Sequence, residues 1–534
     1  MNVLRSTAKT AGLLTVSLVC LAIPGEAGAK THAVTKTIPL TKRERAEHAL
    51  DRLTFGPRPG DVERVEKIGV ERWIDQQLHP ERIDDAALEV KLNALPAMRL
   101  STDELIRRYP PPALIRQVDA GRIGIPADPV ERAIYANELA NFRQRKENKQ
   151  QTPVAGQTSE GSTTQMASGM AATRSNFNQA MNVASLLQMP VAQRWSAVLA
   201  MQPGMVRPMI QGMTGPQRQQ LVAGMTPEEK EVLLALVAPN RLVTEELQEE
   251  KLMRAVYSER QLEEVMTDFW SNHFNIYLRK NGEMPWSLAN YERDVIRPHA
   301  MGKFEDLLVA VAHSPAMLVY LDNQQSIGPH SIAAMRAGMN ARQKKSSPGL
   351  NENYARELME LHTLGVNGGY TQRDVTEVAK VLTGWGTESK QDDYGFAFGF
   401  EFNGRRHEPG NKVVLGHTIH EDGTGEHGEG EGMEVLHILA TSPATARFLS
   451  TKLAMEFVSD TPPKTLVDRM TKTYLKTHGD IRRVLSTMLH SPEFWSRNAY
   501  RAKLKTPLEF VVSSLRATDA DVENATALAA ALDR

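Results

Sequence analysis

The sequence predicts a mainly α-helical fold, a large multi-helix globular body with one small β-hairpin insertion near residues 394–416. Two observations predict this class. Apolar residues recur at helical spacing through most of the chain, and capping boxes or serine–proline pairs precede many of these stretches. In the exceptional stretch, four phenylalanines between 396 and 402 occupy alternate positions, which is the period of a strand with one aromatic face.

The first 29 residues have the pattern of a secretory signal peptide. Arg5 and Lys9 precede an apolar run of 13 residues, and the segment ends in Ala27-Gly28-Ala29. The run is shorter than the roughly 20 residues that span a bilayer, and small residues at alternate positions fit a signal peptidase. We therefore expect cleavage after Ala29 and export to the periplasm, the cell envelope or the extracellular space. The alternative is an N-terminal membrane anchor or a buried core helix.

The composition excludes several kinds of site and partner for the expected mature chain. Cys20, inside the apolar run, is the only cysteine. Its removal would exclude disulfides, thiolate metal sites and a cysteine nucleophile. The net charge of −1 gives no broad attraction to nucleic acid, so we expect no nucleic-acid partner. No later apolar run reaches spanning length, and we expect no integral membrane segment after cleavage.

The first predicted helix begins with a capping box formed by Thr41 and Glu44. Asp61 caps a second helix, and the helices expected in this region cover 41–53, 61 onward, 70–78, 102–108 and 129 to about 145. The next segment is rich in Gln, Thr, Ser, Gly and Ala without periodicity, which predicts a low-complexity linker. The predicted organisation is a signal peptide at 1–29, an N-terminal helical region at 30–145, the linker at 146–182 and a main helical domain at 183–534.

Prolines and serines mark the later helix starts. Prolines at 190, 203, 216 and 227 predict serial short helices, and Ser-Pro pairs at 314, 442 and 491 predict three more. Between these groups, residues 262–274 have the pattern of a buried helix with His273 on its apolar stripe. The aromatic strand is expected to turn at Asn403-Gly404 and to pair with residues 412–415.

Five segments of the chain closely resemble one bacterial family. The most specific is NENYARELMELHTLGVNGGYTQRDVTEVAKVLTGW, and the segments occupy residues 48–78, 267–275, 291–323, 351–385 and 505–517. The family is catalogued as domain of unknown function 1800, and the resemblance spans nearly all of the chain outside the first 29 residues and the linker. It implies an exported, mostly helical protein, often encoded beside a secreted partner of the alkaline phosphatase and sulfatase class. It implies no agreed activity.

The helix from about Glu352 to Leu364 contains the richest set of candidate site residues. Glu357 and Glu360 lie on a different face from the apolar stripe of Ala355, Leu358, Met359, Leu361 and His362. Packed against the helix of His273, these two carboxylates and two imidazoles would form a divalent metal site that activates water. Glu357, Glu360 and His362 are then the candidate catalytic residues. Alternatively, the glutamates pair with arginines and the histidines bond to backbone carbonyls.

A second candidate site lies at the hairpin tip. Arg405 and Arg406 with His407 could bind a phosphate, sulfate or carboxylate, because guanidinium groups match such oxyanions. The alternative is an exposed basic turn. Asn353 is a further candidate ligand-binding residue.

Two other groups of polar residues also have more than one interpretation. Asp294, Arg297 and His299 could form a similar oxyanion site or a buried ion-pair network. The glycine-rich loop at 416–432, with several His, Glu and Asp residues, could bind cations loosely or be a solvated loop.

Two functions from different classes follow from the sequence. The first is an exported binding or assembly protein that works at the cell envelope with a second secreted protein. The alternative is a metal-dependent hydrolase acting on envelope or extracellular polymers, so the sequence leaves open whether the chain is an enzyme. An enzyme requires its polar groups to converge in one cleft, whereas an assembly protein requires an exposed apolar surface.

Overall fold

The computed structural model describes residues 38–151, 183–339, 349–387, 399–421, 428–522 and 528. By its internal contacts the chain from Pro39 onward forms one unit. Within the described ranges, none of the helices combines the length and the apolar composition that a membrane span requires. The predicted signal peptide, most of the predicted linker, and Phe396 and Phe398 of the predicted strand lie outside the described residues.

The described chain is mainly helical, as the sequence predicts. The first thirteen α-helices are α1 Lys42–Leu53, α2 Asp61–Ile68, α3 Val70–Gln77, α4 Ala86–Leu92, α5 Thr102–Arg108, α6 Pro112–Asp119, α7 Pro129–Gln151, α8 Val183–Gln188, α9 Val191–Leu199, α10 Val206–Gly212, α11 Gly215–Val222, α12 Pro227–Val237 and α13 Pro239–Tyr257.

Twelve further α-helices complete the described set. They are α14 Gln261–His273, α15 Met284–Asn290, α16 Phe304–Ala312, α17 Pro315–Tyr320, α18 Ile332–Met339, α19 Glu352–Glu357, α20 Gln372–Val381, α21 Glu429–Thr441, α22 Pro443–Phe457, α23 Lys464–Thr477, α24 Ile481–Leu489 and α25 Pro507–Ala517. Two π-helical turns, Tyr291–Ile296 and Leu358–Thr363, directly extend α15 and α19.

Local capping explains many of these helix starts. The predicted capping box at Thr41 and Glu44 is confirmed, and six of the described helices begin with such a box. Other starts differ from the prediction. Gly60, rather than Asp61, is the N-cap of α2, and Ser491-Pro492 lies in a series of turns instead of starting a helix. The helix expected at Pro203 begins only at Val206.

The helices enclose two main apolar cores. The first core joins residues between 46 and 78 to residues between 262 and 499, so α1–α3 pack with the second half of the chain. The second core joins residues between 88 and 139 to residues between 186 and 253, with Trp286 and Ala289. Residues on both sides of the predicted linker therefore share one core.

The predicted small β-structure is present, but the predicted pairing of its strands is wrong. Strand β1, Trp385–Thr387, pairs antiparallel with β2, Phe400–Phe402, whereas β3, Lys412–Val414, pairs with β4, His417–Ile419. Leu415 and Gly416, the two residues between β3 and β4, have φ angles of 50° and 81°. Two consecutive positive φ values produce a tight hairpin turn, so β3 pairs with the residues that follow it instead of with the aromatic strand.

The second core encloses two glutamates. Glu231 on α12 and Glu246 on α13 are 3% and 7% exposed. Glu246 Oε2 accepts a hydrogen bond from the backbone N–H of Ala97 at 3.2 Å. Burial raises the pKa of both carboxyl groups, and the neighbouring charge of Glu231 raises the pKa of Glu246 further. The pair therefore favours protonation in the folded protein.

We expect Glu246→Gln to stabilise the protein increasingly as the pH rises from 5 to 7. A carboxyl group whose pKa is raised by folding stabilises the native state below the unfolded pKa, and this contribution is lost as the pH rises. Glutamine stays neutral and can still accept the Ala97 N–H. The gain in unfolding free energy over wild type should grow by roughly 1–3 kcal/mol across this window in urea denaturation. The control is Glu147→Gln on the exposed side of α7; an equal gain there would contradict the explanation.

Candidate functional site

Two of the predicted site histidines meet beside a lysine. His273 is the last residue of α14, and its Nε2 lies 3.0 Å from the carbonyl oxygen of His362. Because a carbonyl oxygen only accepts, Nε2 carries the proton and Nδ1 is an acceptor. Lys452 on α22 donates to that Nδ1 at 2.8 Å. Three segments that are distant in the sequence are therefore joined at one imidazole ring.

Burial favours the uncharged forms of all three side chains. Both histidines are 5% exposed. Burial, with the positive charge of Lys452, holds the pKa of His273 well below its usual value and lowers the pKa of His362 to about 3. Burial also lowers the pKa of Lys452, which the charge of Glu456 partly opposes. The site thus contains two neutral imidazoles beside an amine that loses its proton more readily than a solvated lysine.

The π-helical turn Leu358–Thr363 determines which residues face inward. Within this turn, the Thr363 hydroxyl donates a hydrogen bond to the Leu358 carbonyl oxygen at 2.7 Å. The prediction that His362 points inward is confirmed. The prediction that Leu361 belongs to the apolar stripe is wrong, because Leu361 is 48% exposed. A π turn is wider than an α turn, so residues within it depart from α-helical spacing.

A glycine allows this π turn to approach α22 closely. Gly365 has φ of 81°, and a Cβ at this position would lie 2.8 Å from a ring carbon of Phe448. Phe448 and Lys452 are four residues apart, so they occupy the same side of α22. The close approach at Gly365 therefore also sets the position of Lys452 relative to His273.

The helices that carry His273 and Lys452 each carry a carboxylate as well, Asp268 on α14 and Glu456 on α22. Asp268, five residues before His273, forms an ion pair with Lys251 at 2.7 Å. Glu456, one turn after Lys452, has a raised pKa because of burial and the nearby charges of Glu509 and Asp268. Asp268 and Glu456 are therefore close enough for their charges to interact, and Glu456 also lies near Lys452.

Within the part of the chain that the structure describes, the predicted glutamates do not form a metal-ligand group with the two histidines. Glu360 accepts a hydrogen bond from the Tyr370 hydroxyl at 2.9 Å. Burial and the charge of Glu360 raise the pKa of Glu357. Asn353 is exposed on the first turn of α19. Among the described residues, no three His, Asp or Glu side chains are grouped so that they could hold a metal ion, and the predicted four-residue ligand set is not assembled there.

The second predicted site has a different structure from the one expected. His407 does not lie at an exposed hairpin tip, because it is 4% exposed. Its Nδ1 lies 2.8 Å from the Thr383 carbonyl oxygen, and Lys412 Nζ lies 3.1 Å from its Nε2. Arg405 is exposed, and neither Arg405 nor Arg406 takes part in these contacts. The three residues therefore do not converge on one oxyanion site.

Sequence reasoning missed the buried partners of His407. Lys412 is 1% exposed and forms an ion pair with Glu431 at 2.7 Å. The absence of a side chain at Gly428 makes room for the histidine ring, since a Cβ there would lie 2.6 Å from it. The only sequence signal was the glycine-rich spacing around Glu431, which also suits a solvated loop.

The remaining predicted groups have separate structural outcomes. Arg297 belongs to a buried ion-pair network, with Glu264 at 2.5 Å and Glu292 at 2.8 Å. Asp294 instead pairs with Arg293, and His299 Nδ1 lies 2.8 Å from the Val295 carbonyl oxygen. In the glycine-rich loop, residues 417–419 form β4, and residues 422–427 lie outside the described residues.

Comparison with known proteins places the chain in a family. A family model described as protein of unknown function (DUF1800) matches residues 48–534. The chain belongs to the DUF1800 family. The family resemblance of the five sequence segments is therefore confirmed. Two of these segments in the DUF1800 chain, 267–275 and 351–385, meet at His273 and His362. No curated protein and no solved structure matches the chain.

We expect Lys452→Met to raise the pKa of both His273 and His362, because the substitution removes a positive charge that lowers them. Both values should remain below that of a solvated histidine, since burial is the larger cause. Titration of histidine-labelled protein by NMR would measure the change. Lys464→Met, whose side chain is 81% exposed, is the control. Unchanged histidine titrations in Lys452→Met would show that Lys452 does not influence the rings.

We also expect Gly365→Ala to destabilise the DUF1800 chain by about 2–4 kcal/mol. An alanine at φ of 81° costs roughly 1–2 kcal/mol, and its Cβ would also collide with Phe448. Gly369→Ala separates these causes, because Gly369 has φ of 85° and no atom within 4 Å of its Cβ position. Urea denaturation should show the larger loss for Gly365→Ala; equal losses would mean that the approach to Phe448 adds nothing.

Proposed function

We propose that this DUF1800 protein is exported and acts at the cell envelope by binding a second secreted protein. The proposed binding surface includes Lys452 and consists of Leu361, Val366, Phe448, Lys452 and Met455. We call this set the α22 surface.

The observation that supports this proposal is the exposure of large apolar side chains on the π turn of His362, on the loop after it and on α22, the helix of Lys452. Leu361, Val366 and Met455 are 48%, 65% and 40% exposed. On α22, Met455 follows Lys452 by three residues and therefore lies on the same side of the helix. Isolated exposed apolar residues are common on protein surfaces, but apolar side chains around one partly desolvated polar group are typical of binding sites.

The polar centre of the α22 surface suggests the chemistry of the partner. Lys452 donates to His273, and its Nζ also lies 5.6 Å from the centre of the Phe448 ring. The ammonium is partly desolvated, so a partner carboxylate placed against it would form an ion pair in a partly apolar setting. We therefore propose that the partner presents an apolar segment with one carboxylate.

The partner and the location rest on the sequence. The N-terminal pattern of basic residues, apolar run and Ala27-Gly28-Ala29 supports export. The family resemblance implies a neighbouring gene for a secreted protein of the alkaline phosphatase and sulfatase class. That protein is our proposed partner.

We expect a double variant, Leu361→Asp with Val366→Asp, to weaken binding to that neighbouring protein by about tenfold or more. Both side chains are exposed, so folding should be little affected, and circular dichroism would check this. The measurement is surface plasmon resonance between the secreted partner and residues 30–534.

The matched control is Val90→Asp, because Val90 on α4 is 70% exposed and lies outside the α22 surface. Lys452→Met should also weaken binding, since it removes the charge at the centre. Equal affinity of the double variant and wild type would overturn the assignment of the surface. Absence of binding by wild type would overturn the proposed partner.

A further inference from the structure

A small pocket with an apolar floor and a charged rim lies within the N-terminal part of the body, between α4, α13 and the turn at residues 96–99. Its volume is about 220 Å³. The floor consists of Leu92, Leu95 and Met98, and the rim consists of Glu89, Arg99, Glu250, Arg254 and Arg293. Three guanidinium groups thus face a small apolar cavity.

Arg254 is the innermost of these arginines, with a side chain that is 14% exposed. It forms an ion pair with Glu250 of the same helix at 2.7 Å. Burial raises the pKa of Glu250 despite this pair, which indicates that the inner wall of the pocket is poorly solvated. Glu250 and Arg254 are four residues apart on the same helix, so their ion pair holds the Arg254 side chain in one position. The guanidinium group is therefore already placed to donate hydrogen bonds into the pocket.

Glu89 places a carboxylate between two of the arginines. Its Oε1 lies 3.7 Å from Arg254 Nη1, and its Oε2 lies 3.4 Å from Arg99 Nη2. Well-formed bonds between guanidinium and carboxylate groups are about 2.7–2.9 Å long, so both contacts are loose. The Glu89 side chain is also 56% exposed. Solvent can therefore replace the contacts of Glu89 at little cost.

Arg293 forms the outer side of the pocket. Its Nη1 donates to the carbonyl oxygens of Met98 and Leu100, and its other nitrogens pair with Asp294. These bonds hold the 96–99 turn in place. Arg293 is therefore a positioning residue. Arg254 also bonds to Glu250, and Arg99 to the Glu89 carbonyl oxygen, but both contact the Glu89 carboxylate only loosely and so can contact an anion in its place.

We propose that this pocket binds a small organic acid, consisting of one carboxylate on a short unbranched apolar chain. The carboxylate takes the place of the Glu89 side chain between Arg99 and Arg254, and the apolar chain contacts Leu92, Leu95 and Met98. The volume lies below the roughly 300–1,000 Å³ of pockets for drug-sized ligands, which restricts the ligand to a few carbon atoms. Glu89 thus occupies the site as an internal competitor until the ligand displaces it.

Sodium hexanoate is the probe that tests this proposal. Isothermal titration calorimetry of the mature protein should give a dissociation constant of about 1 mM or tighter. Hexanol has the chain without the charge, and hexylamine has the opposite charge. Both should bind at least about tenfold more weakly, because the two guanidinium groups select a carboxylate.

Two single substitutions should change hexanoate affinity in opposite directions. Glu89→Gln removes the carboxylate that competes with the ligand and should tighten binding about fivefold. Arg99→Gln removes one of the two guanidinium groups that bind the ligand carboxylate and should weaken binding about tenfold. The side chains of both residues are about half exposed, so neither variant should impair folding. Glu81→Gln and Arg82→Gln, two exposed residues outside the pocket, are the matched controls and should leave affinity unchanged.

The opposite signs distinguish this site from general charge attraction. If Glu89→Gln and Glu81→Gln tightened binding equally, net charge would explain the change and the proposal would fail. If hexanol bound as tightly as hexanoate, the pocket would be an apolar cavity that does not select a carboxylate, and the proposal would also fail. The hexanoate concentration should also be raised to about ten times the expected dissociation constant. If neither wild type nor Glu89→Gln binds hexanoate at that concentration, the site is excluded.

Discussion

The hydrogen bond from His273 to the His362 carbonyl is the constraint on which the candidate site depends. It fixes the tautomer of His273, and the free nitrogen of that ring is then an acceptor for Lys452. A buried polar group without a partner is costly, so α14, the π turn and α22 are held at the spacing that satisfies both nitrogens. The backbone approach at Gly365 makes this spacing possible, because no side chain separates the π turn from Phe448.

The different surroundings of Lys412 and Lys452 distinguish a structural ion pair from a candidate site. Lys412 lies beside Glu431, and the neighbouring Lys412 and His407 lower the pKa of that carboxyl against the opposing effect of burial. The charges of this pair compensate each other, as expected of a structural pair. Lys452 instead contacts a neutral ring, and burial lowers its pKa. The charge of Glu456 opposes this lowering only in part, so Lys452 differs from Lys412 in having a neutral ring as its hydrogen-bond partner.

Local sequence rules predicted much of the fold but only part of the site. The helix from Lys42 follows from a capping box, and the inward position of His273 follows from apolar spacing, because both depend on nearby residues. The exposure of Leu361 could not be predicted, since a π turn shifts the helical phase and has no simple sequence signal. The burial of His407 depends on Lys412 and Glu431, which only the tertiary fold brings together.

A charged seam between α13 and α14 explains how two apolar cores coexist in one unit. Residues of α13 contribute to the second core and residues of α14 to the first. Between them, Lys251 on α13 pairs with Asp268 on α14, and Arg297, which follows the π turn Tyr291–Ile296, pairs with Glu264 on α14. Such ion pairs often add little net stability compared with apolar packing. They do disfavour other alignments of the two helices, because a shifted helix would leave a buried charge without its partner. The seam therefore fixes the alignment of the two helices, while the apolar cores supply most of the stability.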